Sequence, residues 1–134
     1  MRALQAALDD AGLAAVDVGY VNAHGTATRE GDPAEIEALR NLFGEHAAAL
    51  PVSATKSMHG HALGASGAIE ALITVMAIKQ GRIPPTAHLD EVAPDCAGVA
   101  HVMSGLSGVE LRAALSSSFA FGGSNAVLAF KSAV

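Results

Sequence analysis

Residues 55–67 read Thr55-Lys56-Ser57-Met58-His59-Gly60-His61-Ala62-Leu63-Gly64-Ala65-Ser66-Gly67. A lysine, two histidines and three glycines stand here directly before the most apolar helical pattern in the chain. Glycine lets a backbone N–H come close to a ligand, because no Cβ stands in the way. A helix starting just beyond adds unpaired N–H donors and a partial positive charge, which suit a developing anion. An imidazole held beside Lys56 is expected to stay neutral, since nearby positive charge disfavours a second proton. Its single N–H can then donate to a carbonyl that is becoming an oxyanion. The plainer alternative is a glycine-rich strand-to-helix loop whose histidines are incidental.

Downstream, Ala68, Ile69, Ala71, Leu72, Ile73, Val75, Met76, Ala77 and Ile78 make residues 65–80 a helix that is apolar almost all round. Such a helix needs cover on every side, and one layer of sheet supplies only one. Upstream, residues 51–54 read as a short strand that delivers Lys56. Residues 18–22 read as another, with Val18, Tyr20 and Asn22 on one face and Gly19 and Val21 on the other. That strand runs into Ala23-His24-Gly25-Thr26-Ala27-Thr28, and strand ends in α/β sheets are where sites collect. Taken alone, His24 reads equally as a polar loop residue.

Asp32-Pro33-Ala34-Glu35 is a helix start, with Asp32 as N-cap, Pro33 at the first helical position and Glu35 in the first turn at the reciprocal capping spacing. Ile36, Leu39, Leu42 and Phe43 form its apolar stripe. An earlier helix spans residues 2–13, with Gly12 as its stop. After residue 80 an irregular surface connection runs through Pro94. Cys96 follows beside Asp95 with no base nearby, a poor setting for a nucleophile, and is read as non-catalytic. Strands near 112–118 and 125–131 close the chain. They flank Phe119-Ala120-Phe121-Gly122-Gly123-Ser124, which alone would pass for an ordinary hairpin.

The 134 residues suffice for one domain with a real core, and 51% are hydrophobic against 16% charged. A net charge of −5 and the absence of any basic cluster speak against nucleic-acid binding. One cysteine excludes a disulfide framework. The start lacks a signal-peptide core, and the longest apolar run, between Glu70 and Lys79, is too short to span a bilayer. A soluble, intracellular protein is expected.

Four motifs now stand in order: Asn22-Ala23-His24-Gly25-Thr26-Ala27-Thr28, Gly31-Asp32-Pro33-Ala34-Glu35, Thr55-Lys56-Ser57-Met58-His59-Gly60-His61 and Phe119-Ala120-Phe121-Gly122-Gly123-Ser124-Asn125. Together they resemble the C-terminal half of the β-ketoacyl-acyl carrier protein synthases, the condensing enzymes of fatty-acid and polyketide synthesis. The resemblance covers nearly the whole chain, so residues 1–134 form one such domain. Its Thr-Lys-Ser-Met form looks more like the discrete, elongating type than the modular polyketide type.

The resemblance implies an α/β architecture, the C-terminal half of a thiolase-like fold with a mixed sheet and layered helices. It implies a Cys-His-His site for decarboxylative Claisen condensation of malonyl-carrier protein with an acyl thioester. His24 and His61 would hydrogen-bond the malonyl thioester oxygen, with Lys56 orienting the pair and Glu35 as the acidic partner of Lys56. Thr26 and Thr28 would contact the pantetheine arm. Phe121 would gate the two substrate positions, with Gly122 and Gly123 completing the gate and oxyanion loop. No metal and no cofactor are implied, because the substrates ride on the phosphopantetheine of acyl carrier protein. That carrier is the implied partner, with an N-terminal ketosynthase half or a homo- or hetero-dimer mate, in the cytoplasm, without nucleic acid or membrane.

Two departures qualify the match. Ala120 stands where the family usually has glycine, which stiffens the gate loop. The nucleophilic cysteine belongs to the N-terminal half of the family's fold, and Cys96 cannot replace it, so this chain alone is expected not to condense. A non-catalytic partner subunit or truncated remnant, comparable to chain-length factors, is the alternative; a metal hydrolase on His24, His59 and His61 is a third.

Overall fold

In the computed structural model, which describes residues 1–133, the elements in chain order are helix α1 (Arg2–Ala11), strand β1 (Val18–Asn22), α2 (Gly31–Phe43), β2 (Pro51–Ser53), α3 (Lys56–His59) and α4 (Ser66–Gln80). Five strands follow: β3 (Arg82–Ile83), β4 (Ala100–His101), β5 (Leu106–Ser107), β6 (Ala113–Phe119) and β7 (Asn125–Lys131). The main sheet has five strands in the order β4-β2-β1-β6-β7, and β3 and β5 form a separate antiparallel pair. β1 is parallel to β2 and to β6, aligning Asn22 with Ser53 on one side and Ser116 on the other. β2 is parallel to β4, and only β7 runs antiparallel, along β6. Parallel neighbours need long crossovers, and here the crossovers are helices that cover the two faces of the sheet. The architecture is the expected mixed α/β layer.

Helices α1 and α2 lie on one face. Leu4, Leu8, Ile36, Leu39 and Phe43 pack there against Val21, Val52 and Leu115. Each such side chain, fully buried, contributes about 1.5–3 kcal/mol of transfer free energy. Val18 joins this cluster, contrary to the alternation that placed it with Tyr20. The pairing of β1 with β6 is irregular between Val18 and Tyr20, and an irregularity there breaks the two-residue period. On the other face Tyr20 and Ala114 pack with Ala77 of α4, Ile83, Val102 and Leu111.

α4 runs over residues 66–80, one residue short of the expected start, and it is inverted. Its buried residues are Ser66, Glu70, Thr74 and Ala77, so the stripe toward the sheet is largely polar. Leu72, Val75 and Met76 face outward, with Leu72 63% exposed. The sheet covers one side of the helix, the β3/β5 pair borders Leu72 and Met76 at its flank, and Leu72 and Val75 stay exposed.

The start of α2 differs from its expected form. The helix begins at Gly31 with Glu30 at the N-cap position and no side-chain cap, and Asp32 lies inside the first turn. The Thr28 hydroxyl instead accepts the Gly31 N–H at 3.2 Å. Glu35 does not fold back on the helix start but reaches into the site. Among the described residues, no helix is long and apolar enough to cross a membrane.

Candidate active site

The site begins where β1 ends. Beyond Asn22 the chain turns through Ala23, His24 and Gly25, and buried Glu35 from α2 holds that turn from below. One Glu35 carboxylate oxygen accepts the His24 N–H at 2.9 Å, and the other accepts the Gly25 N–H at 3.0 Å. Gly25 has φ 37°, and a Cβ there would stand 2.4 Å from the Ala54 Cβ. Only glycine lets this turn press against the end of β2. Burial pushes the Glu35 carboxyl up to about 7, against the pull of the two backbone N–H groups.

Lys56 opens α3 and is buried. Its ammonium forms an ion pair with Glu70 of α4, which is fully buried. The same nitrogen donates to the His24 carbonyl at 2.6 Å and contacts His24 Nδ1 at 3.4 Å. This corrects the expected pairing of Lys56 with Glu35. The acid of the pair is Glu70, while Glu35 is committed to backbone amides, so the two acids brace His24 from different sides. Glu70 escaped the sequence reading, although a signal was present. A lone carboxylate inside an otherwise apolar helix has to find a buried cation, and Lys56 lies one short loop upstream.

Asn22 ties these pieces together. Its amide nitrogen donates to the Glu70 carbonyl and to the Thr74 hydroxyl, both at 3.3 Å, and its oxygen accepts from the Thr55 hydroxyl at 3.1 Å. The end of β1, the middle of α4 and the lead-in to α3 are therefore one polar network.

His61 follows Gly60 and meets His24 edge to face, with ring centroids 5.7 Å apart at 87°. The two predicted histidines converge. An ammonium has no lone pair, so in the contact with Lys56 the His24 Nδ1 is the acceptor and the ring proton sits on Nε2. The same logic fixes His61, whose Nδ1 accepts the Leu63 N–H at 3.3 Å. Both rings thus carry Nε2–H donors. His24 is pushed down to about 4, first by burial, then by the charge of Lys56 and by His61. Near neutral pH it is an uncharged donor.

The remaining predicted residues are less drawn in. Thr26 is half-buried in the His24 loop, and Thr28 is exposed at the start of α2. Phe121 is fully exposed in a turn where Gly122 and Gly123 have φ 78° and 81°. The aromatic that meets His24 is Phe119, with ring centroids 5.9 Å apart. In sequence Phe119 stands in a stretch that alone passes for an ordinary hairpin. No local sequence signal marks it, because the pairing of β6 with β1 that brings it to His24 is set by the fold. Cys96 packs against the α1/α2 cluster. It lines a cavity of about 210 Å³ together with Gly25, Glu35 and His101, which neither His24 nor His61 lines. Burial and Asp95 raise its pKa, so its reactive thiolate is disfavoured. His59 Nε2 lies 3.4 Å from the Thr55 hydroxyl, away from a three-histidine cluster, and among the described residues no group of three His, Cys, Asp or Glu is placed to hold a metal ion.

Comparison with known proteins identifies the domain. Residues 1–90 match the family model described as "Beta-ketoacyl synthase, C-terminal domain". A 3-oxoacyl-[acyl-carrier-protein] synthase 2 of Staphylococcus aureus is 49% identical over 130 residues, covering 97% of this chain and 32% of the relative. A solved type II PKS acyl-carrier protein in complex with its ketosynthase superposes with a TM-score of 0.94 at 32% identity, over 99% of this chain and 32% of that one. The ishigamide ketosynthase/chain length factor superposes with a TM-score of 0.91 at 36% identity, over 98% of this chain and 32% of that one. The chain spans about a third of the length of the curated relatives it matches.

Proposed function

Because this chain belongs to the β-ketoacyl synthase family, as a C-terminal domain of that family, we propose that it supplies the histidine side of a decarboxylative condensing site. Its fold is the C-terminal part of a thiolase-like fold. The substrates are a malonyl thioester on acyl carrier protein and an acyl thioester, in fatty-acid or polyketide synthesis. One observation carries the reading. Two imidazoles converge, each with Nδ1 accepting from a donor and Nε2–H free to point at a shared oxygen.

The chemistry follows from that arrangement. Loss of carbon dioxide from the malonyl group leaves its electron pair as an enolate, with negative charge on the thioester oxygen. Two N–H donors on that oxygen stabilise the enolate more than the ground-state carbonyl, which lowers the barrier. The depressed pKa of His24 keeps it a donor without making it a cation that would protonate the enolate carbon. Lys56 strengthens the donor from the far side of the ring, and Glu70 balances the lysine's charge. The enolate carbon then attacks the acyl carbonyl, a C–C bond forms, and the C–S bond to the acyl-carrying thiol breaks.

That thiol comes from outside this chain, since Cys96 is the single cysteine and stands apart from the histidines. Residues 1–134 act as one domain beside the cysteine-bearing part of the fold, in the cytoplasm, with no cofactor beyond the carrier's phosphopantetheine. Thr26 and Thr28 border the pantetheine arm, and Phe121, Gly122 and Gly123 gate the acyl side. The chain-length-factor reading is disfavoured, because a subunit without chemistry has no use for a buried Lys56–Glu70 pair held against His24.

The test is reconstitution. The purified chain is incubated with malonyl- and acyl-carrier protein, then with a separately made N-terminal ketosynthase part bearing the cysteine. The expected result is no condensation by the chain alone and condensation after mixing, cut by about 10²-fold or more in His24→Ala and His61→Ala. Condensation by the lone chain would overturn the assignment of Cys96. No condensation with both parts folded and associated would favour the non-catalytic subunit.

A further inference from the structure

His61 is exposed and sits on a glycine-flanked loop, so nothing in its own backbone fixes the ring. Its firmest contact is with Ser66, whose hydroxyl lies 2.9 Å from His61 Nδ1. We propose that Ser66 is the positioning residue that holds the His61 ring edge to face with His24, leaving its Nε2–H free for the shared oxygen. The inference rests on the role of the histidine pair proposed above, but its geometry stands apart from any activity.

A serine at the first turn of a helix is ordinarily explained as a cap for free backbone N–H groups. Ser66 does not serve that purpose, because the start of α4 has no side-chain cap hydrogen bond. The side chain is instead 3% exposed, and its single hydrogen bond among the described residues goes to His61. A buried hydroxyl without a partner costs free energy, so the ring and the hydroxyl hold each other.

The direction of the bond follows from the neighbouring donor. The Leu63 N–H approaches the same Nδ1 at 3.3 Å and can only donate. Nδ1 therefore carries the lone pair, and the Ser66 O–H donates into it. Flipping the tautomer would turn the Nδ1 proton against the Leu63 N–H and remove the proton from Nε2, where the oxyanion donor is needed. Ser66 sits one turn before Glu70 on the same buried stripe of α4. One helix face thus serves both histidines, through Lys56 for His24 and directly for His61.

The experiment is nitrogen NMR of the imidazoles in the full chain, comparing the wild type with Ser66→Ala and Ser66→Thr near neutral pH. The wild type is expected to show His61 as an Nε2–H tautomer. In Ser66→Ala the tautomer set by the Leu63 N–H should stay, while the ratio of the held ring orientation to swung-out ones, read from proton contacts between the His61 and His24 rings, should fall about fivefold, the size of one neutral hydrogen bond. Ser66→Thr should restore the ratio, while the His24 signals stay unchanged in both variants. A backbone amide spectrum matching the wild type shows that each variant is folded. Unchanged contacts between the two rings in folded Ser66→Ala, or a loss that Ser66→Thr fails to restore, would overturn the proposal. Loss of the ring-to-ring contacts in Ser66→Ala, in a chain that never supports condensation on reconstitution, would uphold Ser66 as the positioning group and remove the function proposed for the pair.

Discussion

Glu35 and His24 touch through the backbone and titrate in opposite senses. His24 is pushed down to about 4, so between pH 4 and 6.5 the unfolded chain binds a proton that the folded chain does not. Stability from this group is lost as pH falls through that window. Glu35 is pushed up to about 7, so between its ordinary value and 7 the folded chain binds the extra proton. Its contribution runs the other way, and stability rises as pH falls. In the wild type the two slopes oppose each other. Glu35→Gln removes one of them and sets an amide NH₂ against a backbone N–H. The variant should lose about 1–3 kcal/mol at pH 7 and fall further at pH 5, where the His24 slope stands unopposed. Denaturant midpoints at the two pH values measure this, and a midpoint difference no larger than that of the wild type would refute it. These couplings also mark what could be read from sequence at this scale. His24, His61 and Lys56 were legible because they stand in motifs with polar neighbours. The partners of Lys56 and His61, Glu70 and Ser66, were hidden, because a helix that reads as apolar gives no reason to look for its polar stripe.

Among the elements, the extents of the strands at 18–22 and 125–131 and of the helix at 66–80 match the sequence pattern closely, although Val18 breaks the strand period and the helix faces inward with its polar residues. The two-residue strands β3, β4 and β5 were illegible, since two residues carry no periodicity and their pairing is decided by tertiary contact. The start of α2 was misread for a physical reason. A capping box and a carboxylate reaching for loop amides use the same residue types at the same spacing, and only the path of the chain tells them apart. Helix ends permit a sharper test. Gly12 closes α1 at φ 61° and Gly81 closes α4 at φ 60°, both left-handed stops. A Cβ at Gly12 meets nothing within 4 Å, whereas one at Gly81 would lie 2.7 Å from the Val109 carbonyl oxygen. Gly12→Ala should cost about 1 kcal/mol, the left-handed penalty less the entropy gained in the unfolded chain. Gly81→Ala should cost about 1–3 kcal/mol more, because backbone has to move aside. Equal losses in urea melts of the two variants would show that the Val109 segment yields freely.

For the molecule as a whole, the inverted helix decides how the chain behaves by itself. α4 buries Ser66, Glu70 and Thr74 against the sheet and turns Leu72, Val75 and Met76 outward, and Leu128 of β7 is exposed as well. Exposed apolar side chains grouped along one helix of a free domain drive association. The site needs the polar stripe inside, where a low effective dielectric strengthens the Lys56–Glu70 pair and the bonds to His24. The apolar stripe is then forced outward, and another layer has to cover it. The isolated chain should therefore associate with rising concentration, with a sedimentation coefficient that grows across the micromolar range. The double variant Leu72→Lys, Met76→Lys should remain monomeric there. Its unfolding free energy should stay within about 0.5 kcal/mol of the wild type, because neither side chain belongs to the core. If the double variant unfolds, those residues already support this chain's own core, and the need for a second layer disappears. If it stays folded and monomeric yet also fails to join a cysteine-bearing partner part, one apolar stripe serves both self-association and partner docking. The wild type should then exchange its self-association for the partner when the two are mixed.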